Sequence, residues 1–245
     1  MDNLLGSLSH YGLVEGLSLY IKLKSRQIDS ISTSKLPHTV YMRPGSTDRC
    51  VFKQIFLKQD FNIPILNAFT PKTILDLGAN IGMSSLYFAN RFPDAKIIGV
   101  EPDEDNGRMF AKNLEHFPNV KFELAAVRGD NKKVIMDDHG KGESGYMAEE
   151  SEEGLPALTI ADVMDKYNLE QIDLIKMDIE GSEKSVFEAN YDRWLPHVKV
   201  LFVELHERKA PGCTAAMENA IKNHSFTQQN SGEYHVLINN DLINS

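Results

Sequence analysis

Acidic residues and glycines surround the first long apolar run of this chain. Asp76 lies in the run Thr73–Leu77, a turn with Gly78 and Gly82 follows it, and Glu101 ends the next apolar run nineteen residues beyond Gly82. Such glycines let the backbone approach a ligand closely and let a helix pack on a strand. An acidic residue at this distance typically binds ribose hydroxyls. The pattern therefore predicts a site for a ligand that contains a ribose.

The turn differs from the G-x-G-x-x-G fingerprint of dinucleotide sites, in which a pyrophosphate sits on a helix N-terminus. Here Ala79, Asn80 and Ile81 separate the two glycines, and Asp76 ends the strand before them. A carboxylate there would repel a pyrophosphate, whereas it suits an ammonium or a sulfonium group. S-adenosylmethionine carries both cations beside an adenosine ribose, so the turn favours this cofactor over a nicotinamide dinucleotide.

Two later apolar runs end in side chains that could transfer a proton. Asp178 follows the run Ile172–Met177, and Glu204 and His206 share a face at the end of the run that follows. We expect His206, assisted by Glu204 or Asp178, to accept the proton of a substrate hydroxyl. Two alternatives stay open: purely structural roles, with Asp178 as a helix N-cap, and a divalent metal site formed by Asp178, Glu204 and His206.

The order of apolar runs predicts an α/β protein. From Thr73 onward, strands alternate with helices, which indicates a Rossmann-like, doubly wound, mostly parallel sheet of seven strands with helices on both faces. A hairpin close to residues 225–238 predicts an antiparallel terminal strand. Residues 129–156 interrupt the alternation with an acidic, glycine-rich stretch, which is either a solvated hairpin or a flap over the site.

Residues 1–70 are predicted to form an N-terminal helical cap on the domain formed by residues 71–245. The spacing of Leu13, Leu17, Tyr20 and Ile21 indicates an amphipathic opening helix, which is also a candidate surface for self-association.

Composition narrows the class of protein. The 245 residues are 42% hydrophobic, enough for a full core, and the net charge of −9 argues against a nucleic-acid partner. The two cysteines form no C-x-x-C pair. No apolar stretch reaches the length of a membrane span, and the N-terminus lacks the pattern of a signal peptide. We therefore expect a cytoplasmic enzyme.

Asp76 and the glycine turn resemble the first motif of class I S-adenosylmethionine-dependent methyltransferases. A closer resemblance, to the FkbM family within that class, covers roughly residues 40–240. Its segments are RPGSTD at residues 43–48, DLGANIG at 76–82, EP at 101–102, MDIEGSE at 177–183 and VELH at 203–206. The resemblance implies O-methylation of a hydroxyl on a small molecule, a sugar or a glycan.

The resemblance also implies roles for individual residues. Asp76, Gly78, Asn80 and Gly82 would line the methionine end of the cofactor, and Glu101 would hold the ribose. The complete predicted cofactor-binding set is Asp76, Gly78, Ala79, Asn80, Gly82, Glu101, Pro102, Ala125, Ala126 and Asp178. The adenine side departs from the family, because Val-Arg-Gly stands at residues 127–129 where members often have Leu-Ser-Asp. Two other functions stay open: a catalytically silent cofactor-binding partner protein and, with less support, a nicotinamide-dependent oxidoreductase.

Overall fold

The computed structural model describes residues 3–137, 147–150 and 154–243. The helices are α1 (Asn3–Tyr11), α2 (Leu13–Lys24), α3 (Asp48–Phe52), α4 (Met83–Arg91), α5 (Glu104–Leu114), α6 (Ile160–Tyr167), α7 (Glu183–Glu188), α8 (Cys213–Ile221) and α9 (Asn240–Ile243). The strands are β1 (Ser30–Ile31), β2 (Val40–Tyr41), β3 (Thr73–Leu77), β4 (Lys96–Glu101), β5 (Val120–Leu124), β6 (Ala126–Val127), β7 (Val134–Asp137), β8 (Met147–Glu150), β9 (Ala157–Leu158), β10 (Ile172–Met177), β11 (Val198–Val203), β12 (Phe226–Ser231) and β13 (Tyr234–Asn239).

A seven-stranded sheet organises the protein, with the strand order β12-β13-β11-β10-β3-β4-β5. The five strands from β11 to β5 are parallel, and β13 runs antiparallel to both β11 and β12. The predicted α/β class and mostly parallel sheet are confirmed. The antiparallel strand is the last in the chain, and β12 lies outside it at the edge of the sheet.

The central strands are buried on both faces because their apolar side chains alternate between two cores. Ile74 of β3 packs with Phe88 of α4 on one face, whereas Leu75 packs with Trp194 on the other. All six residues of β10 are buried. Such continuous apolar strands belong in a parallel sheet covered on both sides.

The chain changes direction across the sheet between β3 and β10. After β3 it proceeds outward through β4 and β5, and it then returns to place β10 on the other side of β3. In an open α/β sheet, ligands bind outside the carboxyl ends of the strands at this crossover. The turns after β3 and β10 therefore define where a site is expected.

The segment that the sequence predicts as a cap packs on the core beside α4 and α5. Leu19, Phe52 and Phe61 belong to the same apolar cluster as Ile74 of the sheet. A π-helical turn, Lys53–Lys58, continues α3 toward the carboxyl edge of the sheet. The cap thereby brings its own side chains to the expected site.

The apolar residues that predicted an amphipathic opening helix lie on α2, and most of them face away from the core. Leu13, Leu17 and Ile21 are exposed, whereas Gly16, Leu19 and Leu23 are buried. The packing of α1 decides the orientation of α2, since Gly16 lies against the backbone of Ser7. Self-association through this helix stays a prediction.

The stretch that interrupts the alternation contains a hairpin, in which β7 pairs antiparallel with β8. Residues 138–146 and 151–153 of the predicted flap lie outside the described residues. Within the described ranges, none of the helices combines the length and the apolar character that a bilayer crossing requires.

Gly16→Ala should separate α1 from α2. A Cβ at residue 16 would stand 2.4 Å from the carbonyl oxygen of Ser7, which is backbone and cannot rotate away. We expect the free energy of unfolding in urea to fall by about 1–3 kcal/mol, despite the higher helix propensity of alanine. Ser18→Ala, an exposed change in the same helix, is the control. Equal stability of the two variants would show that the contact between α1 and α2 contributes little.

Candidate active site

A cavity of about 320 Å³ opens at the crossover between β3 and β10. The turns after β3, β4, β10 and β11 line it on one side, and α3 with the π-helical turn lines it on the other. Of the predicted site residues, the cavity is lined by Gly78, Ala79, Asn80, Glu101, Pro102, Ala126, Asp178, Glu204 and His206. Asp76, Gly82 and Ala125 are not among its lining residues.

Gly78 and Gly82 are each required for a different structural reason. Gly78 has φ of +74°, and a Cβ there would stand 1.8 Å from the carbonyl oxygen of Asp178, so only glycine allows the two turns to meet. A Cβ on Gly82 would contact the side chains of Phe110 and Leu114 at 2.9 Å. Gly82 thus serves the packing of α4 on α5 and not the cavity directly.

Glu101 is buried at the end of β4, where three donors hold its carboxylate. Oε1 accepts the amide of Asp103 at 3.1 Å and Nδ2 of Asn106 at 2.9 Å, while Oε2 accepts the amide of Asn80 at 2.9 Å. Burial raises the pKa of Glu101, although these hydrogen bonds oppose it. Because Oε2 has one donor, it keeps a lone pair that a ligand hydroxyl could use.

Arg43 connects the cap to this carboxylate, a connection that the sequence did not reveal. Its guanidinium pairs with Asp48, with Nη2 2.8 Å from Oδ1 and Nε 3.1 Å from Oδ2. Nη1 donates to Oδ1 of Asn106 at 2.7 Å, and Nη2 lies 3.4 Å from Oδ1 of Asn80. The RPGSTD segment therefore positions Asn80 and Asn106, two of the three residues that donate to Glu101.

Asp76, which the sequence predicted at the methionine end of the cofactor, is not among the residues that line the cavity. Its side chain is fully buried, and Oδ2 accepts the hydroxyls of Ser84 at 2.6 Å and Ser85 at 2.7 Å. Nζ of Lys176 lies 3.4 Å from Oδ1. Asp76 therefore acts on the cavity through the serines and Lys176.

Lys176 is a buried ammonium at the floor of the cavity. Nζ donates to the carbonyl of Gly78 at 2.6 Å and lies 3.7 Å from Oδ2 of Asp178. Burial lowers its pKa, but the charges of Asp76 and Asp178 outweigh this effect, and the pKa is raised overall. The lysine therefore stays charged and joins the ends of β3 and β10.

His206 lies among four carboxylates. Nδ1 donates to Oε1 of Glu183 at 2.9 Å, while Nε2 lies 3.3 Å from Glu180, 3.7 Å from Asp178 and 3.8 Å from Glu204. Burial lowers its pKa, but the bond to Glu183 and the surrounding charges raise it to about 9. The ring therefore carries both protons at neutral pH and cannot accept another, which argues against the predicted base role.

Glu204 has the opposite property, because its pKa lies near neutrality. Burial is the largest cause, and the charge of Asp178 adds to it, so the pKa rises to about 7 even though His206 opposes the shift. A carboxylate with such a pKa can accept or release a proton at physiological pH.

The same cluster could hold a metal ion. One ligand atom each from Asp178, Glu183 and His206 lies within 4.8 Å of the others. Glu183, however, also accepts the backbone amides of Ile179 at 2.9 Å and Gly181 at 2.8 Å. These bonds hold Glu183 in the position from which it orients the ring of His206. A metal-bound imidazole and a protonated imidazole would both need such a partner.

The sheet order, the cavity at the crossover and the carboxylate at the end of β4 together define the architecture of a class I methyltransferase. The Methyltransferase FkbM domain model matches residues 76–227, which is more than half of the chain. The protein therefore belongs to the FkbM family of methyltransferases.

The chain is also similar to three curated proteins, two of which are named methyltransferases. Methyltransferase sdnD of Sordaria araneosa is 26% identical over 197 residues, which span 64% of this chain and 74% of sdnD. Methyltransferase 1 of Beauveria bassiana is 23% identical over 207 residues, spanning 72% of this chain and 82% of that protein. The AMB antimetabolite synthetase AmbE of Pseudomonas aeruginosa is 25% identical over 222 residues, spanning 72% of this chain and 10% of AmbE.

The protonation of His206 should make stability depend on pH. Its folded pKa of about 9 lies above the ordinary value of 6.5, so this contribution is complete below about pH 6.5 and is lost as pH rises through 9. We expect the free energy of unfolding to fall by up to about 3 kcal/mol across that window. The fall should be shallower in His206→Gln and unchanged in His116→Gln, an exposed control. Urea unfolding at several pH values measures it, and parallel curves for all three proteins would contradict the raised pKa.

Proposed function

We propose that the protein transfers the methyl group of S-adenosylmethionine to a hydroxyl of a small molecule, a sugar or a glycan. The observation that carries the proposal is Glu204, whose pKa of about 7 suits a general base, in the same cavity as Glu101. The division into a cap, residues 1–70, and a catalytic domain, residues 71–245, belongs to this proposal. In it, the cap forms the wall against which the acceptor lies.

The residues around the cavity fit the proposed cofactor. Glu101 keeps a free acceptor position on Oε2 for a ribose hydroxyl. Ala126 and Val127 offer apolar surface to an adenine, and the absence of a side chain on Gly78 opens the turn. Asp178 supplies a negative charge beside Lys176 that suits an ammonium or a sulfonium group.

When bound, S-adenosylmethionine supplies an electrophilic methyl group. The chain must align the acceptor with that group and remove one proton. We assign the proton to a carboxylate oxygen of Glu204. His206, fixed by Glu183, faces Glu204 and Asp178 as a cation and stabilises their charges. It therefore acts as a positioning residue in this proposal.

The competing hypothesis is a protein that binds the cofactor but does not catalyse methyl transfer. A protein that binds the cofactor without turnover would need Glu101 and the glycine turn but would not need a carboxylate poised near neutral pH. Glu204 thus favours an enzyme. A nicotinamide cofactor is disfavoured, because the acidic turn ends of β3 and β10 would repel its pyrophosphate.

Glu101→Gln should weaken S-adenosylmethionine binding by roughly 10- to 100-fold, the range expected for losing a charge-assisted hydrogen bond. Calorimetric titration with S-adenosylmethionine, S-adenosylhomocysteine and NAD measures this change. Glu104→Gln, an exposed change nearby on α5, is the control. Binding of NAD alone to the wild type would overturn the proposed cofactor.

Glu204→Gln should lower kcat by roughly 10²- to 10⁴-fold while leaving cofactor affinity unchanged. The rise of activity with pH near 7 should disappear, because the amide does not titrate. Formation of S-adenosylhomocysteine with the acceptors of a hydroxyl library measures turnover, and Glu218→Gln, an exposed change on α8, is the control. Full turnover with an unaltered pH profile would exclude Glu204 as the base.

A further inference from the structure

We propose that the methyl acceptor carries a primary amine and that Asp60, with Glu233 and Tyr234 beside it, binds its ammonium group. This inference rests on the proposed function, which it extends to a substrate class. All three residues line the cavity on the side of the cap and the β12–β13 turn.

Asp60 is the unusual member of this group. Only 6% of its surface is exposed, and in the described ranges its carboxylate forms no hydrogen bond or ion pair. Both carboxylate oxygens lie over Gly232, where a Cβ would stand 2.3 Å from Oδ2. A buried carboxylate is costly unless a partner compensates its charge. A cavity-lining carboxylate in this state indicates that its partner comes from the ligand.

Burial is the main cause of the raised pKa of Asp60. The charge of Lys58, which is exposed, opposes this shift, and the smaller effect of Glu233 adds to it. Nε2 of Gln54 donates to Oε2 of Glu233 at 2.6 Å, which holds that carboxylate without neutralising it. Tyr234 lines the same part of the cavity, and an aromatic ring attracts an ammonium group.

Three cations in or near the cavity are paired with other acidic groups. Lys176 forms ion pairs with Asp76 and Asp178, and His206 forms one with Glu183. Lys209 pairs with Glu180. None of these three pairs with Asp60 in the described part of the chain.

Tyr234 connects this end of the cavity to the proposed base. Burial raises its pKa well above the ordinary value, and the charges of Asp178, Glu204 and Asp60 are among the further causes. Asp60, Tyr234 and Glu204 line the same cavity. In this proposal, the amine of the acceptor lies at Asp60 and its hydroxyl lies at Glu204.

Two other ligand classes fit less well. A neutral polyol would donate hydrogen bonds to Asp60 but would leave the charges of Asp60 and Glu233 uncompensated. A metal ion needs several converging ligand atoms, and the group of described residues with that geometry, Asp178, Glu183 and His206, does not include Asp60.

Matched acceptor pairs test the proposal. The pairs are glucosamine with N-acetylglucosamine, serinol with N-acetylserinol and dopamine with N-acetyldopamine. Each N-acetyl compound keeps the hydroxyls of its partner and replaces the ammonium group with a neutral, larger acetamide. Calorimetry on the S-adenosylhomocysteine complex measures binding, and formation of S-adenosylhomocysteine from S-adenosylmethionine measures turnover. We expect at least one amine to exceed its N-acetyl partner by about 10-fold or more, the effect of one charge-assisted contact.

The preference should shrink to within about 3-fold in Asp60→Asn and persist in Asp94→Asn, an exposed control. Equal or better binding of the N-acetyl compounds would overturn the proposal, and so would a preference that survives in Asp60→Asn. Absence of binding by every amine at millimolar concentration would also overturn it. Mg²⁺ binding that is lost in Asp60→Asn, without amine selectivity, would place a metal ion there instead.

Thermal unfolding separates a ligand site from a structural role for Asp60. Asp60→Asn should leave Tm unchanged or raise it, because the asparagine removes an uncompensated buried charge. A fall in Tm larger than that of Asp94→Asn would show that Asp60 supports the fold, and the proposal would fail.

The proposed function can fail separately. If S-adenosylmethionine does not bind, the methyltransfer proposal falls, while amine binding to the free protein still tests Asp60. If a neutral hydroxyl compound is methylated efficiently, methyltransfer stands and the amine proposal falls.

Discussion

The buried ammonium of Lys176 is the interaction on which the site depends. It bonds the carbonyl of Gly78 after β3 and lies between the carboxylates of Asp76 and Asp178, so it joins two neighbouring strand ends at the crossover of the sheet. Without it, two carboxylates would face each other in a region of low dielectric. The lysine stays charged because its partners outweigh the cost of burial. The turns after β3 and β10 also approach each other closely at this point, and only a glycine at residue 78 leaves room for that approach.

A second network fixes the opposite wall. Arg43 and Asp48 of the cap hold Asn80 and Asn106, and these in turn hold the carboxylate of Glu101. On the proposed function, the cap is therefore coupled to the cofactor side of the cavity by hydrogen bonds and to the acceptor side by the π-helical turn. A change in the cap that alters acceptor binding would then also affect the residues that position Glu101.

The sequence predicted the sheet well because burial dictates its pattern. The bounds of β3 and β10 agree with the predicted runs, since each is a short, mostly apolar segment between turn residues. The sequence could not predict how deeply each side chain is buried. Spacing placed Asp76 at a strand end, but the serines of α4 that bury it come from a different element. Similarly, His206 had the right location, but its protonation depends on Glu183, whose contact with the ring arises only from the tertiary fold.

The crowding of carboxylates gives two residues different chemical states from one electrostatic field. Negative charge around His206 favours its cation and raises its pKa, while the same charge, with burial, disfavours the anion of Glu204. A cationic ligand that enters this field reverses the second effect, because it stabilises the carboxylate of Glu204. On the proposed function, binding of a positively charged cofactor or acceptor would therefore convert Glu204 from a half-protonated acid into a base at neutral pH. On the proposed function, the same negative charge in the cavity therefore attracts a cationic ligand and, once that ligand is bound, leaves Glu204 deprotonated and able to accept a proton.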